Sequence, residues 1–193
     1  MKTLEEYLKK NNKTDIIFDF DATIIELLIP WQHIFDGIRE DLRSMDTDII
    51  QEYDNGVIGD VMAQNKYLKK YGARARSLLH EHLAEFESNN LKGLRVNYDL
   101  VDFIKKDSSY KKYIWSSNSL RVLEPVMKEH KIWDRFEKVV SRDVVDILKP
   151  YPNGFELIHD KKTPIEAFLF VGDSTNDEGA AKALGMDFFK VSF

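Results

Sequence analysis

Cysteine is absent from the 193 residues, which excludes disulfide scaffolds, thiol nucleophiles and cysteine-ligated zinc or iron–sulfur centres. Long apolar runs are missing too: none approaches the roughly 20 residues that span a bilayer. Nor is there an excess of positive charge, since 28 Lys and Arg against 33 Asp and Glu leave a net charge of −5. That balance argues against nucleic acid and membrane surfaces as partners, because both require a positive face. Met1 to Lys13 carries four lysines among polar neighbours and no apolar segment, unlike a secretory leader, so a cytoplasmic setting is expected. No repeat, low-complexity tract or exposed apolar heptad stands out, and the oligomeric state stays open.

What the chain does have is core-forming material. Hydrophobic residues make up 43% and charged residues 32%, the balance of a folded protein rather than a disordered one. The length fits one domain, or a core with a modest insertion. Thr14 to Phe20, Lys112 to Ser116 and Ala167 to Val171 are short, bulky apolar runs that read as buried strands. Lys138 to Ser141 and Phe188 to Val191 add shorter ones. Helical spacing marks Met1–Lys10, Tyr98–Lys106, Leu120–His130, Asn153–His159 and Asn176–Leu184. This alternation predicts an α/β fold: a doubly wound, mostly parallel, Rossmann-like sheet with helices on both faces.

One block breaks the alternation. Between Ile24 and about Arg95 no strand is apparent, only amphipathic patterns. Trp31, Ile34, Phe35, Ile38, Leu42 and Met45 share one helical face; Val57, Val61, Tyr67, Leu68 and Tyr71 suggest a second helix, and Leu78, Leu79, Leu83 and Phe86 a third. Pro30 and Gly93 stand near its ends. The expected organisation is an α/β core of residues 1–23 and 96–193, with an all-helical cap of residues 24–95 inserted after the first strand. Ligands of such sheets sit beyond the carboxyl ends of the strands, beneath such a cap.

Four loops follow apolar segments, and each is also readable alone as a turn, a helix N-cap or a solvated surface. Asp19-Phe20-Asp21-Ala22-Thr23 closes the first strand with two carboxylates and a hydroxyl. Ser116-Ser117-Asn118-Ser119 offers hydroxyl and amide groups at a helix start, a ready anion site. Lys149 lies in a proline-stiffened loop, Lys149-Pro150-Tyr151-Pro152, where an ammonium can be held as a phosphate clamp. Gly172-Asp173-Ser174-Thr175-Asn176-Asp177 is an acidic loop with the hard oxygen donors that Mg²⁺ prefers. Together they supply metal-binding carboxylates, anion-binding groups and a spare carboxylate to move protons.

These four stretches, in this order from Asp19 to Gly185, resemble the haloacid dehalogenase-like (HAD) superfamily. The similarity is to its helical-cap, phosphoglycolate phosphatase-like branch. The resemblance implies that Asp19 is the nucleophile, forming an aspartyl-phosphate, and that Asp21 is general acid and then base. It implies that Ser117 and Lys149 hold the phosphoryl group, helped by Thr23 and Asn118. Mg²⁺ would be bound by Asp19, Asp173 and the backbone carbonyl of Asp21, with Asp177 supporting metal and lysine. The expected activity is Mg²⁺-dependent hydrolysis of a small phosphorylated metabolite. Ala22 departs from the glycine usual there and is expected to fit by avoiding positive φ.

Three other readings share these groups. A phosphomutase of the same build differs only in which molecule takes the phosphoryl group back. A dehalogenase has no need of a metal or of Asp21. A receiver-like, non-enzymatic phospho-acceptor module would have neither Asp21 nor an insertion of about 70 residues between strand and helix. The cap arginines Arg39, Arg43, Arg74 and Arg76 are candidates for a second anionic group of the substrate, though solvated helix faces explain them more simply.

Overall fold

In the computed structural model, which describes residues 3–106 and 109–192, the first element is helix α1 (Leu4–Lys10). Met1 and Lys2 of the expected helix lie outside the described residues. Thr3 and Glu6 form a capping box that satisfies two of the backbone donors left at the helix start. The chain then runs through β1 (Asp15–Phe18), β2 (Ile25–Leu27), α2 (Arg39–Met45), α3 (Thr47–Asp54), α4 (Asp60–Tyr71) and α5 (Ala73–Asn90). It continues with β3 (Leu94–Val96), α6 (Tyr98–Lys106), β4 (Lys111–Trp115), α7 (Leu120–Glu129) and β5 (Lys138–Val140). The last elements are α8 (Asn153–Ile158), β6 (Phe168–Gly172), α9 (Thr175–Leu184) and β7 (Asp187–Lys190).

Five strands form one sheet in the order β5-β4-β1-β6-β7, all parallel, with β1 at the centre. Every residue of β1 and β6 is buried, the pattern of strands covered on both faces, which is why they read as unbroken apolar runs. Successive side chains alternate between two cores. Ile17, Tyr113, Trp115, Phe168 and Phe170 pack on the face that carries α8, α9 and the inserted helices. Ile16, Phe18, Ile114, Leu169 and Val171 pack on the other, against α1, α6 and α7. Trp115 and Phe170 stack across the first face with centroids 5.4 Å apart. The doubly wound architecture with a helical insertion after β1 is the one expected.

The insertion differs from expectation in two ways. It has a two-stranded antiparallel ribbon at its base, β2 with β3, pairing Ile25 with Val96 and Leu27 with Leu94. Main-chain bonds from Leu28 to Gly93 and from Lys92 to Leu28 extend it. Three residues per strand are too few to show a period-two pattern, so the ribbon hid within the apolar stretch after Thr23. The face from Trp31 to Met45 is also not one helix. It breaks into 3₁₀ turns at Trp31–His33 and Asp36–Ile38 before α2 begins. Gly37 sits against the His82 ring, where a Cβ would fall 2.5 Å from Cε1. The unforeseen α3 is N-capped by Asp46, whose carboxylate accepts from the backbone of Asp48 and Ile49. Val57, assigned to a helix face, is instead an exposed loop residue. Among the described residues no helix is long and apolar enough to cross a membrane.

Candidate active site

The carboxyl ends of β4, β1 and β6 lie side by side, so the loops that follow them share one edge of the sheet. Asp19 continues β1 for one more residue, its backbone N–H donating to Val171 O at 2.9 Å. Its side chain is nearly buried. Lys149 Nζ donates to Asp19 Oδ1 at 2.7 Å and to Asp177 Oδ1 at 2.5 Å, so one buried ammonium joins two buried carboxylates. Two glycines make room for this. A Cβ on Gly172 would fall 2.7 Å from the Asp177 carboxyl, and one on Gly179 would fall 2.7 Å from Pro150 Cβ, against which α9 holds the lysine loop.

Asp177 is held on its other side by a capping box, its Oδ2 accepting from Ser174 N at 3.0 Å and Ser174 Oγ at 2.6 Å. Asp173 is half-buried and accepts from Thr23 Oγ1 at 3.1 Å. Carboxylate oxygens of Asp19, Asp173 and Asp177 lie within 4.8 Å of one another. A hard divalent cation fits such an oxygen set. Both Asp177 oxygens are already engaged by Lys149 and Ser174, so Asp19 and Asp173 are the better ligands, with Asp177 ordering the lysine.

Electrostatics follow from this crowding. Burial raises the Asp19 carboxyl above the usual carboxylate range and Asp177 adds to the rise, while Lys149 opposes both. For Lys149, burial alone would favour the neutral amine, yet Asp177 and Asp19 more than offset it and hold the ammonium charged. Asp173 is also raised, by burial first and then by Asp177. A cation among these carboxylates reverses the logic and favours their ionised forms.

Asp21 stands apart from this cluster. Its Oδ1 accepts from the backbone of Leu27 at 2.7 Å, at the root of the ribbon. Burial pushes its carboxyl up to about 7, against the pull of that hydrogen bond, and Asp173 and Glu87 add repulsion. A carboxyl group poised there exchanges protons readily near neutrality. Next to it Ala22 has φ +55°, contrary to the expectation that it avoids the left-handed region. The turn demands it: Phe20 O accepts from the backbone of Thr23, Ile24 and Ile25 in succession. Alanine there costs about 1–2 kcal/mol that glycine would not.

The second loop is arranged differently. Asn118 Oδ1 accepts from Ser116 Oγ at 3.0 Å, and Ser116 Oγ accepts from Asn118 N at 3.2 Å, so the Asn118 side chain braces its own loop. The carbonyl of Ser117 accepts from Arg142 Nη1 at 3.0 Å, and Arg142 is buried. Two residues of the insertion also reach these loops. Glu87 on α5 meets Ser119 and Arg142, and Asn65 on α4 meets Leu148 and Lys149. Sequence reasoning missed Asn65, Glu87 and Arg142, for polar residues on helical or loop patterns carry no sign of burial.

Other candidates lie elsewhere. Arg39 binds Asp36 and Asp54, Arg43 binds Glu40 and Asp54, Arg76 binds Asp146, and Arg74 is exposed. Tyr151 lies under Lys69, whose Nζ is 3.4 Å from the ring centroid.

Residues 16–191 match the family described as haloacid dehalogenase-like hydrolase. A structure of a presumptive phosphoglycolate phosphatase from Lactobacillus plantarum is 18% identical, covers 91% of this chain and 84% of its own, and superposes with a TM-score of 0.60. The presumptive HAD hydrolase YfnB of Bacillus subtilis, solved with magnesium bound, is 17% identical, with coverage of 91% and 85% and a TM-score of 0.53. At those identities the likeness concerns the fold. The drimenol cyclase DrtB of Aspergillus calidoustus is 26% identical over 179 residues, 89% of this chain. The chain spans about a third, 31%, of that relative's length.

Proposed function

The chain belongs to the haloacid dehalogenase-like hydrolase family, and from that premise we propose that it is a Mg²⁺-dependent phosphatase of small phosphorylated metabolites. The observation that carries this reading is the buried Asp19–Lys149–Asp177 group with Asp173 beside it at the sheet edge. Uncatalysed hydrolysis of phosphate monoesters is among the slowest reactions known, with enzymatic accelerations up to ∼10²¹. An anionic nucleophile meeting a dianionic ester requires positive charge at the site.

Asp19, ionised, attacks phosphorus through a carboxylate oxygen as the bond to the leaving oxygen breaks. Asp21, whose carboxyl burial raises to about 7, delivers its proton in its protonated form to that leaving oxygen. As a carboxylate it then takes a proton from water, which attacks the aspartyl-phosphate, releases inorganic phosphate and restores Asp19. Lys149 holds the transferring oxygens from one side and the Ser117 loop, with Asn118, from the other. Asp173, fixed by Thr23, and Asp19 would hold the Mg²⁺, whose charge when bound offsets that of the phosphoryl oxygens. Asp177 keeps the lysine charged and in place.

Phosphate release from p-nitrophenyl phosphate with Mg²⁺, with EDTA, and with Asp19→Asn tests the reading. Release that is lost in both controls supports it. A wild-type protein that liberates no phosphate from this ester or from a panel of metabolite phosphates refutes it.

A further inference from the structure

The two loops assigned to the phosphoryl group are not fixed by the α/β core alone. Asn65 on α4 is buried at 1% exposure in a position where nothing but hydrogen bonding favours an amide. Its Nδ2 donates to the carbonyls of Leu148 and Lys149, each at 3.2 Å, and its Oδ1 accepts from Leu148 N at 2.7 Å. Three bonds from one side chain thus fix the backbone on which Lys149 stands.

Glu87 on α5 is fully buried and treats the other loop similarly. Its Oε2 accepts from Ser119 N at 3.0 Å, and its Oε1 accepts from Arg142 Nη1 at 2.8 Å. The same Arg142 nitrogen donates to Ser117 O at 3.0 Å. The chain segment from Ser117 to Ser119 is therefore held at both ends by a pair whose acidic member belongs to the insertion. Leaving either charge of that pair buried alone would be strongly unfavourable, so the contact is made as a unit or not at all. Among the described residues Asp19 and Asp173 make no direct hydrogen bond to α4 or α5: Asp19 is set by β6 and by Lys149, and Asp173 by Thr23.

We propose that Asn65 and Glu87 are positioning residues through which the helical insertion builds the phosphoryl-binding half of the site, while the metal-binding half forms without them. The proposal rests on the phosphatase reading above. Docking of α4 and α5 then sets affinity for the phosphoryl group, whatever the insertion also does in choosing a substrate. Lys149 and the Ser117 loop reach their working geometry only with the insertion seated. Positioning errors of this kind are felt strongly, because phosphoryl transfer depends on placement more than on any group's intrinsic reactivity.

The test uses the full chain and two ligands. Inorganic phosphate binding in saturating Mg²⁺ is measured by calorimetry and by inhibition of p-nitrophenyl phosphate hydrolysis. The half-saturating Mg²⁺ concentration is measured without phosphate, by thermal stabilisation. Asn65→Ala and Glu87→Gln are expected to weaken phosphate binding by at least about tenfold, the effect of losing even one well-placed hydrogen bond to a buried group, with the Mg²⁺ midpoint unchanged. Asn65→Asp, which keeps the acceptor for Leu148 N and loses both donors, should weaken it as well. Glu87→Gln keeps an acceptor for Arg142 but not its counter-charge, so should that protein fail to fold, the Asn65 variants, which strand no charge, keep the test intact. Folded variants that bind phosphate like wild type overturn the proposal. So does an equal loss of phosphate and Mg²⁺ affinity, the mark of general loosening. A wild-type protein that neither binds nor releases phosphate refutes the phosphatase reading instead, a separate outcome.

Discussion

The two halves of the candidate site differ in what holds them. Asp19 and Asp173 stand at the ends of adjacent central strands and are ordered by bonds to β6 and to Thr23. Ser117 stands in the short link after β4 and Lys149 on the longer connection between β5 and α8, and both are steadied by Asn65 and Glu87 from the insertion. Rigid strand ends suit charge clustering, which must persist with or without a substrate. Loops tied to a separate layer suit a group that must be admitted, gripped and released. On the proposal above, one half of this constellation is pre-formed at the sheet edge and the other is assembled when the insertion docks.

Substitutions probe this division from strong to weak effects. Asp19→Asn keeps an acceptor for Lys149 but has no nucleophilic carboxylate. Its kcat should fall by at least about 10⁴-fold, as for loss of a covalent nucleophile, with the thermal unfolding midpoint preserved or raised. An active Asp19→Asn protein would remove the chemistry from the metal half. Asp21→Asn should lower kcat by about 10²–10⁴-fold, the range of a proton-transferring group, and the loss should be larger for alkyl esters than for p-nitrophenyl phosphate, whose leaving group needs little protonation.

Metal and pH sharpen the comparison next. Asp21, and in the metal-free protein Asp19 and Asp173, have carboxyls raised by burial in the folded state. The folded state then binds more protons than the unfolded one above the usual carboxylate pKa. The stability these groups contribute is present below about pH 4 and is lost as pH rises through the folded values, about 7 for Asp21. Metal-free protein should therefore melt at lower temperature at about pH 8 than at about pH 5, other groups aside, and Mg²⁺ should raise the midpoint more at the higher pH. Equal Mg²⁺ stabilisation at both would argue against a cation among these carboxylates. The smallest effect belongs to the surface of the insertion. Arg43→Ala breaks only partly exposed pairs with Glu40 and Asp54, and should change stability by less than about 1 kcal/mol and leave kcat/KM unaltered.

The same division explains what the sequence displayed. Strands buried on both faces leave unbroken apolar runs, so β1, β4 and β6 were legible, and the acidic loops after β1 and β6 were legible as their continuations. The loop groups at Ser117 and Lys149 were visible only in company with those acids. The supports from the insertion were not visible at all. Asn65 and Glu87 lie among polar helical neighbours, and their burial depends on which helix docks against which loop, a property of tertiary structure. The β2–β3 ribbon escaped notice because each strand has three residues. Ala22 misled for a local reason: a turn closed on Phe20 O imposes a left-handed residue whatever side chain stands there.

Direct capture of the intermediate bears most closely on the central claim, covalent phosphoryl transfer through Asp19. The protein is mixed with p-nitrophenyl phosphate and Mg²⁺, quenched in acid within the steady state, and mapped by peptide mass analysis, with Asp21→Asn included to slow breakdown of the adduct. The account predicts one phosphoryl group, confined to the peptide that contains Asp19 and absent from Asp19→Asn. Sustained turnover with no adduct on that peptide, or an adduct on another carboxylate, would contradict it.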